Sequence, residues 1–162
     1  MYIKRQLTKS LTTFTGKRFG YMSKIKSSHR YEVTIGIGGN IGDMKRRFER
    51  LFIFLQRDRR VNVLKTSLIL QNPPFGFLEQ DDFLNSIIVL KTTMQPLKFL
   101  DYLMRLEKKF GRQRSFSNAP RTLDLDIIFF ENRVISTKKL TVPHASWSER
   151  ESVTIPLSGI LS

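Results

Sequence analysis

The segment Pro120–Phe130, P-R-T-L-D-L-D-I-I-F-F, restricts the fold of this chain more than any other stretch. Its aspartates alternate with branched apolar residues, and successive side chains of a β-strand point to opposite faces. One face therefore carries Asp124 and Asp126, roughly 7 Å apart along the strand. The opposite face carries Leu123, Leu125 and Ile127. The pattern predicts a strand with one buried face and one face that bears two neighbouring carboxylates.

Two ionised carboxylates on one strand face repel each other, and burying either without a partner is costly. A divalent cation that prefers oxygen ligands, such as Mg²⁺, removes this conflict, and phosphate oxygens commonly complete its coordination shell. Arg112 and Arg121 precede the strand and are suited to bind phosphate oxygens. The residues alone leave two interpretations open: a magnesium–phosphate site, or a half-exposed strand with two solvated aspartates.

A second alternating segment begins at Tyr31, where apolar residues occupy every other position of Y-E-V-T-I-G-I-G and predict a strand. The loop Gly38–Asp43, G-G-N-I-G-D, follows with residues that tolerate unusual backbone angles. Asp43 is a suitable N-cap for a helix over Met44–Arg57, whose apolar residues recur with helical spacing. Such a loop before a helix is either a phosphate cradle or an ordinary strand-to-helix turn.

Periodicity and turn residues predict the remaining elements. These are strands over Val61–Leu70 and Phe83–Leu90, a helix over Pro96–Phe110 that ends at Gly111, a hairpin partner for the aspartate strand around Val134–Ile135, and a last segment that is helical around Ser146–Glu149. The order β-α-β-β-α-β, with extra strands, predicts an α+β fold of the ferredoxin-like kind, with helices packed on one face of an antiparallel sheet.

The first thirty residues differ in composition from the rest of the chain. They hold eight of the 28 lysines and arginines and no acidic residue, in a chain whose formal net charge is +14. They lack the apolar core of a secretory signal. We expect residues 1–30 to form a solvated or loosely docked basic arm, with a targeting or nucleic-acid-binding role as the alternative. Residues 31–162 are expected to form a single domain.

Composition also restricts the class of protein. The chain contains no cysteine, which excludes a disulfide framework and a zinc–cysteine site and fits an intracellular compartment. Its apolar runs are shorter than a membrane span requires. We therefore expect a cytoplasmic location and no membrane partner.

Six short motifs occur in a fixed order between Val33 and Leu161, and each is weak alone. They are G-G-N-I-G-D at 38–43, N-P-P-F-G at 72–76, F-L-N at 83–85, E-K-K-F-G-R at 107–112, P-R-T-L-D-L-D-I-I at 120–128, and V-P-H, E-R and P-L within 142–157. Together the chain resembles the family of 6-hydroxymethyl-7,8-dihydropterin pyrophosphokinases. The resemblance implies an enzyme of folate biosynthesis that transfers pyrophosphate from ATP to the hydroxymethyl oxygen of a reduced pterin and releases AMP.

The resemblance also implies roles for individual residues. Asp124 and Asp126 would bind two Mg²⁺ ions, and Arg112 and Arg121 would bind phosphate oxygens of ATP during catalysis. Further contacts to ATP are expected from Glu107, Ile127, Lys139, Thr141, His144 and Arg150. The expected partners are therefore small molecules, ATP and the pterin, and the protein is expected to act as a monomer without nucleic acid.

In the family, the flat pterin ring is held by its amide-like edge and by its faces. Asn85 can pair with that edge because its side chain offers both a donor and an acceptor. The proline loop, here with Asn72, Pro73 and Phe75, completes the recognition of the edge. Phe83 stands where the family has an aromatic residue that stacks on the ring.

Three features depart from the family pattern. The second stacking aromatic falls at Ser152, so either Trp147, Phe75 or an aromatic residue of the arm replaces it, or the pterin binds more weakly. The position after the V-P-H motif is often aromatic in the family, but here it is Ala145, so a different contact to adenine is expected. The loop between the two arginines is one residue short and lacks a tryptophan, for which Phe116 is the candidate substitute.

Two other functions remain as alternatives at this point. One is a basic ferredoxin-like module that binds nucleic acid through surface aromatic and basic residues. The other is a catalytically decayed relative that binds nucleotide without turnover. The departures concern substrate affinity more than reaction type, because they leave the aspartates and arginines intact.

Overall fold

The structure, a computed structural model, describes residues 1–112 and 118–160. Its strands are β1 (Ile3–Gln6), β2 (Thr12–Thr15), β3 (Tyr31–Gly39), β4 (Val61–Thr66), β5 (Ile69–Asn72), β6 (Phe83–Thr92), β7 (Asp124–Phe130), β8 (Ile135–Ser136) and β9 (Thr141–Val142). Its helices are α1 (Met44–Arg57), α2 (Pro96–Lys109) and α3 (Glu151–Ser158), and a short 3₁₀ turn over Trp147–Glu149 precedes α3.

The main sheet is antiparallel, with seven strands among the described residues. Its order is β1-β2-β5-β6-β3-β7, and β4 also pairs with β6. The central strand β3 pairs with β6 on one side and β7 on the other, so that Gly38 lies opposite both Asn85 and Asp124. This register brings the start of β6 and the start of β7 to the same end of the sheet.

Helices α1 and α2 pack on one face of this sheet. The N-cap prediction is confirmed, because Oδ1 of Asp43 accepts a hydrogen bond from the Arg46 backbone N–H at 3.1 Å. The apolar faces of the two helices meet the inward side chains of β3 and β7 in the main core. Its members include Ile35, Ile37, Phe48, Leu51, Phe52, Leu55, Phe99, Leu103, Leu106, Leu125, Ile127 and Phe130. The predicted α+β fold with helices packed on an antiparallel sheet is confirmed.

The opposite face of the sheet is partly covered by α3. Val153 and Leu157 of this helix pack with Ile87, Val89 and Ile128 in a second, smaller core. The prediction of helices on one face is therefore wrong for α3, whose eight residues contain Pro156 and give only a weak periodic signal. None of the helices within 1–112 and 118–160 combines the length and apolarity needed to cross a membrane.

The N-terminal segment differs from the expected loosely docked arm. β1 and β2 form a hairpin, and β2 extends the sheet by pairing with β5. Phe14 and Phe19 are buried in the main core, where Phe19 contacts the rings of Phe48 and Phe52. The sequence conceals these strands because each is only four residues long and most of their residues are polar. The division into residues 1–30 and 31–162 as separate units stays a prediction.

Two further elements differ in detail from prediction. The strand expected over Val61–Leu70 is divided into β4 and β5, which are separated by Ser67 and Leu68 and both pair with β6. The segment after β7 forms β8, but β8 pairs with β9 rather than with β7. The predicted hairpin with the aspartate strand is thus wrong, since Thr141–Val142 supplies a closer partner.

Candidate active site

The two aspartates of β7 lie on the sheet face opposite the main core, as their alternation with buried leucines predicts. In the β3–β7 register, Asp124 is opposite Gly38 and Asp126 is opposite Gly36. Because these glycines have no side chains, neighbouring groups can lie close over β3. A Cβ atom on Gly36 would crowd Cδ1 of Ile128, and one on Gly38 would collide with Oδ1 of Asn85. The G-I-G pattern of β3 thus allows Asn85 and Ile128 to approach the strand beside the carboxylates, a requirement that the sequence motifs did not identify.

Arg112 and Arg121 both bind Asp124. Nη1 of Arg112 donates to Oδ1 of Asp124, and Nη1 of Arg121 donates to Oδ2 at 3.0 Å. Burial by itself lowers the pKa of Arg112, but the charges of Asp124 and Glu107 outweigh it and raise that pKa. Two guanidinium groups and one carboxylate are therefore already assembled at the start of β7.

Glu107 positions Arg112 relative to β7. Oε2 of Glu107 accepts hydrogen bonds from Nη1 of Arg112 and from the backbone N–H of Leu125, each at 2.8 Å. The Glu107 side chain is buried, which makes this connection between α2 and β7 well protected from water. Nε of Arg112 is also buried and has no hydrogen-bond partner among the described residues. An unpaired buried donor at this place suits an anionic ligand atom such as a phosphate oxygen.

Asp126 has a different electrostatic environment from Asp124. Burial, and then the negative charges of Asp124 and Glu107, raise the pKa of Asp126 to about 7, although Arg150 and Arg112 oppose the shift. Its ionised form is therefore unfavourable in the protein alone, and a nearby cation would relieve that cost. Two carboxylates on one face of the strand fit Mg²⁺, which takes few protein ligands and keeps water or phosphate oxygens. Among the described residues, no group of three or more His, Cys, Asp or Glu side chains is arranged so that it could hold a metal ion.

A cavity of about 340 Å³ adjoins Asp124. It is lined by Ser10, Leu11, Asn72, Pro73, Phe75, Phe83, Asn85, Asn118, Arg121, Asp124, Glu149, Arg150, Glu151 and Ser152. Nδ2 of Asn85 donates to Oδ1 of Asn72 at 2.7 Å, so the two amides are adjacent. The guanidinium of Arg121 lies over the Phe83 ring, with its carbon 5.8 Å from the ring centroid. The structure thus brings every predicted pterin residue into one cavity with Arg121, which is predicted to bind phosphate.

Asn40 connects three loops around this cavity. Its Nδ2 donates to Oε1 of Gln80 at 2.8 Å and to the Asp81 carbonyl at 2.9 Å, and its Oδ1 accepts from the Arg121 backbone N–H at 3.0 Å. Gln80 in turn donates to the Asn118 carbonyl at 2.8 Å. The G-G-N-I-G-D loop therefore binds other loops of the protein, which favours the turn interpretation over the phosphate cradle.

Comparison with known proteins agrees with this geometry. The model of the 7,8-dihydro-6-hydroxymethylpterin-pyrophosphokinase family matches residues 34–162. The chain belongs to this family. Three relatives share the name 2-amino-4-hydroxy-6-hydroxymethyldihydropteridine pyrophosphokinase. The Campylobacter jejuni protein is 42% identical over 142 residues, which cover 88% of this chain and 90% of that protein. The Helicobacter pylori protein is 35% identical over 146 residues, which cover 89% of this chain and 90% of that protein. The Bacillus subtilis protein is 36% identical over 126 residues, which cover 78% of this chain and 75% of that protein.

The residues expected to contact ATP in a member of this pyrophosphokinase family lie in different parts of the structure. His144 follows β9 and is anchored by its backbone N–H, which donates to the Ile128 carbonyl at 2.9 Å. Burial, and then the charge of Arg150, lower the pKa of His144. Lys139 and Thr141 are exposed near the β8–β9 hairpin, away from the cavity lining.

The side chain of Ile127 lies in the main core, on the opposite face of the sheet from Asp126. Its side chain therefore does not face the carboxylates, and an ATP contact from this residue would have to come from its backbone. The roles of these residues toward ATP stay predictions.

The departure from the family pattern at Ser152 lies within the cavity. Among the expected replacements for the missing ring, Phe75 lines the cavity, whereas Trp147 packs edge-on against Phe129 with ring centroids 5.0 Å apart. Phe116 lies outside the described residues. The cavity also contains Ser10 and Leu11 of the N-terminal hairpin, which no motif marked.

Proposed function

We propose that this chain transfers pyrophosphate from ATP to the hydroxymethyl group of 6-hydroxymethyl-7,8-dihydropterin and releases AMP, a step of folate biosynthesis. One observation carries the proposal. In a chain of the pyrophosphokinase family, Asp124 and Arg121 share a cavity with Asn72, Phe83 and Asn85, and Arg112 binds the same aspartate. A pterin bound at the asparagines presents its hydroxymethyl group to residues that bind phosphate.

Phosphate oxygens carry the charge that this reaction must neutralise, so the protein contributes mainly positioning and electrostatics. Arg112 and Arg121 bind these oxygens, and Glu107 contributes through Arg112. Asp124 and Asp126 would hold two Mg²⁺ ions, which would neutralise and orient the phosphate oxygens. A bound cation would favour the ionised form of Asp126.

The pterin edge pairs with the amide of Asn85 and with the loop of Asn72, Pro73 and Phe75. Since Nδ2 of Asn85 donates to Asn72, Oδ1 of Asn85 accepts from the amino group of the pterin. Phe83 stacks on one face of the ring. The remaining contacts to ATP come from Ile127 through its backbone, Lys139, Thr141, His144 and Arg150.

The partners in this proposal are ATP and the reduced pterin, and the protein acts as a monomer in the cytoplasm. We do not assign it a nucleic-acid partner. A site for single-stranded nucleic acid is a positively charged groove with aromatic platforms. Here the groove contains Asp124, Glu149 and Glu151, and these carboxylates repel a phosphate backbone that lacks bound cations.

The test is AMP formation from ATP and Mg²⁺, measured with and without 6-hydroxymethyl-7,8-dihydropterin, and with EDTA as the control for metal. We expect AMP only when pterin and Mg²⁺ are both present. ADP as the product would indicate transfer of a single phosphoryl group at the same carboxylates. Absence of turnover in a protein that still binds ATP would favour the decayed relative.

A further inference from the structure

The turn between β1 and β2 reaches the substrate cavity. Ser10 and Leu11 of this turn line the cavity together with the predicted pterin residues. The turn is closed by its own hydrogen bonds. The backbone N–H groups of Leu7 and Thr8 donate to the Leu11 carbonyl at 2.8 and 3.2 Å, and the Thr8 hydroxyl accepts from the Leu11 N–H at 3.1 Å. Leu11 therefore has a defined position at the cavity wall.

The register of the sheet aligns Leu11 with Phe83. Thr12 is opposite Gln71 in the β2–β5 pair, so Leu11, one residue earlier, lies beside Asn72. Asn72 is in turn opposite Phe83 in the β5–β6 pair. Side chains opposite each other in antiparallel strands share a face. Leu11 and Phe83 thus stand on the same face of the sheet, two strand spacings or about 10 Å apart, with Asn72 between them.

We propose that Leu11 forms the apolar wall on one face of the pterin ring, while Phe83 covers the other face. Carbon atoms in contact are about 3.5–4 Å apart, so a flat ring between two walls needs about 7–8 Å, which two strand spacings accommodate. The ring would stand with its amide edge on Asn72 and Asn85. Ser152 lines the same cavity, but its small hydroxymethyl group offers little apolar surface. This inference rests on the proposed function.

The wall exists before substrate binds, because the hairpin is part of the sheet. β2 pairs with β5, and Phe14 at its centre is buried in the main core. Removing the whole segment is therefore a poor test, since it would take Phe14 and Phe19 out of the core and lower stability. Leu11 is only half-buried, so single substitutions there test binding without dismantling the fold.

The experiment compares Leu11→Ala and Leu11→Phe with a control, Leu7→Ala. Leu7 belongs to the same turn, is 42% exposed and does not line the cavity. Calorimetry measures the Kd of 6-hydroxymethyl-7,8-dihydropterin in the presence of Mg²⁺ and an ATP analogue with a methylene group between the α- and β-phosphorus atoms. AMP formation gives kcat and the KM of each substrate.

We expect Leu11→Ala to raise the Kd and KM for pterin about tenfold, which corresponds to about 1.4 kcal/mol, with kcat and the KM for ATP unchanged. Leu11→Phe should bind pterin as tightly as the wild type or more tightly, because a ring offers a larger apolar face. Leu7→Ala should match the wild type.

An unchanged pterin Kd in Leu11→Ala would overturn the role of Leu11, provided the wild type makes AMP in a pterin-dependent way. In that case the proposed function stands. Equal increases in the KM of both substrates, or the same loss in Leu7→Ala, would also contradict the inference, since they would indicate a general disturbance of the turn. A wild type without pterin-dependent AMP would instead remove the proposed function, and this inference with it.

Discussion

Replacing each aspartate of β7 by asparagine should change stability in opposite directions, although both substitutions should abolish turnover. Asp126→Asn removes a carboxylate whose pKa is raised from 3.8 to about 7, first by burial and then by the charges of Asp124 and Glu107. Between these pH values the folded protein binds more protons than the unfolded chain. The contribution of Asp126 to the stability of the wild type should therefore fall as pH rises from about 4 to about 7, and then level off.

A shift of about 3 pKa units corresponds to about 4 kcal/mol at 1.36 kcal/mol per unit. Solvent that reaches the partly exposed Asp126 side chain reduces this cost, so we expect Asp126→Asn to be more stable than the wild type by about 1–3 kcal/mol at pH 8, and by almost nothing at pH 4. Asp124→Asn breaks the ion pairs with Arg112 and Arg121. It should be less stable than the wild type by about 1–3 kcal/mol at pH 8.

Urea unfolding followed by circular dichroism at pH 4, 6 and 8 measures these differences, and AMP formation measures turnover. EDTA must be present in the unfolding experiment, because bound Mg²⁺ would stabilise the ionised carboxylates of the wild type. A constant difference between Asp126→Asn and the wild type across this pH range would refute the electrostatic reasoning. An Asp126→Asn protein with normal turnover would refute the metal assignment.

Two further substitutions test the groups around the carboxylates. Arg121→Lys should lower kcat by about 10² or more, since a lysine cannot present the planar fork that binds carboxylate and phosphate together, whereas Arg105→Lys on the exposed side of α2 should leave kcat unchanged. Asn40→Ala should lower the free energy of unfolding by about 2 kcal/mol, because the partly buried Arg121 N–H and the Gln80 loop lose their partner. The same variant should also slow AMP formation, and a stable Asn40→Ala protein with full activity would contradict the connecting role of this side chain.

The centre of the fold could be predicted because local and tertiary signals agree there. The helix predicted over Met44–Arg57 has the bounds of α1, since Asp43 caps it and the apolar residues with helical spacing, Met44, Phe48, Leu51, Phe52 and Leu55, are buried in the core. The alternation in β3 and β7 likewise reports the face that is buried. In these segments the backbone preference and the burial pattern favour the same structure, which makes the sequence unambiguous.

The N-terminal strands could not be predicted for the opposite reason. β1 is exposed at all four of its positions, and β2 joins the sheet through backbone hydrogen bonds that leave no side-chain pattern. Phe14 and Phe19 are buried, but they are separated by a turn and do not follow a single period. The place of Leu11 in the cavity depends on this pairing, so it too becomes visible only in three dimensions.

The candidate site likewise combines features that could be predicted from the sequence with features that could not. Residue type and spacing made the aspartates and arginines candidates for a site, and the family resemblance assigned their roles, but their relation to Asn85 depends on the register around Gly38. Gly38 is opposite Asp124 on one side and Asn85 on the other, which places these two backbones two strand spacings, or about 10 Å, apart. A bicyclic ring with its edge at Asn85 must extend its hydroxymethyl arm across this glycine to meet phosphate at Asp124. A shift of one residue in either pairing would turn Asn85 or Asp124 toward the core. Strand register, and not the motif alone, therefore determines whether the hydroxymethyl group of the pterin can reach the phosphate groups of ATP.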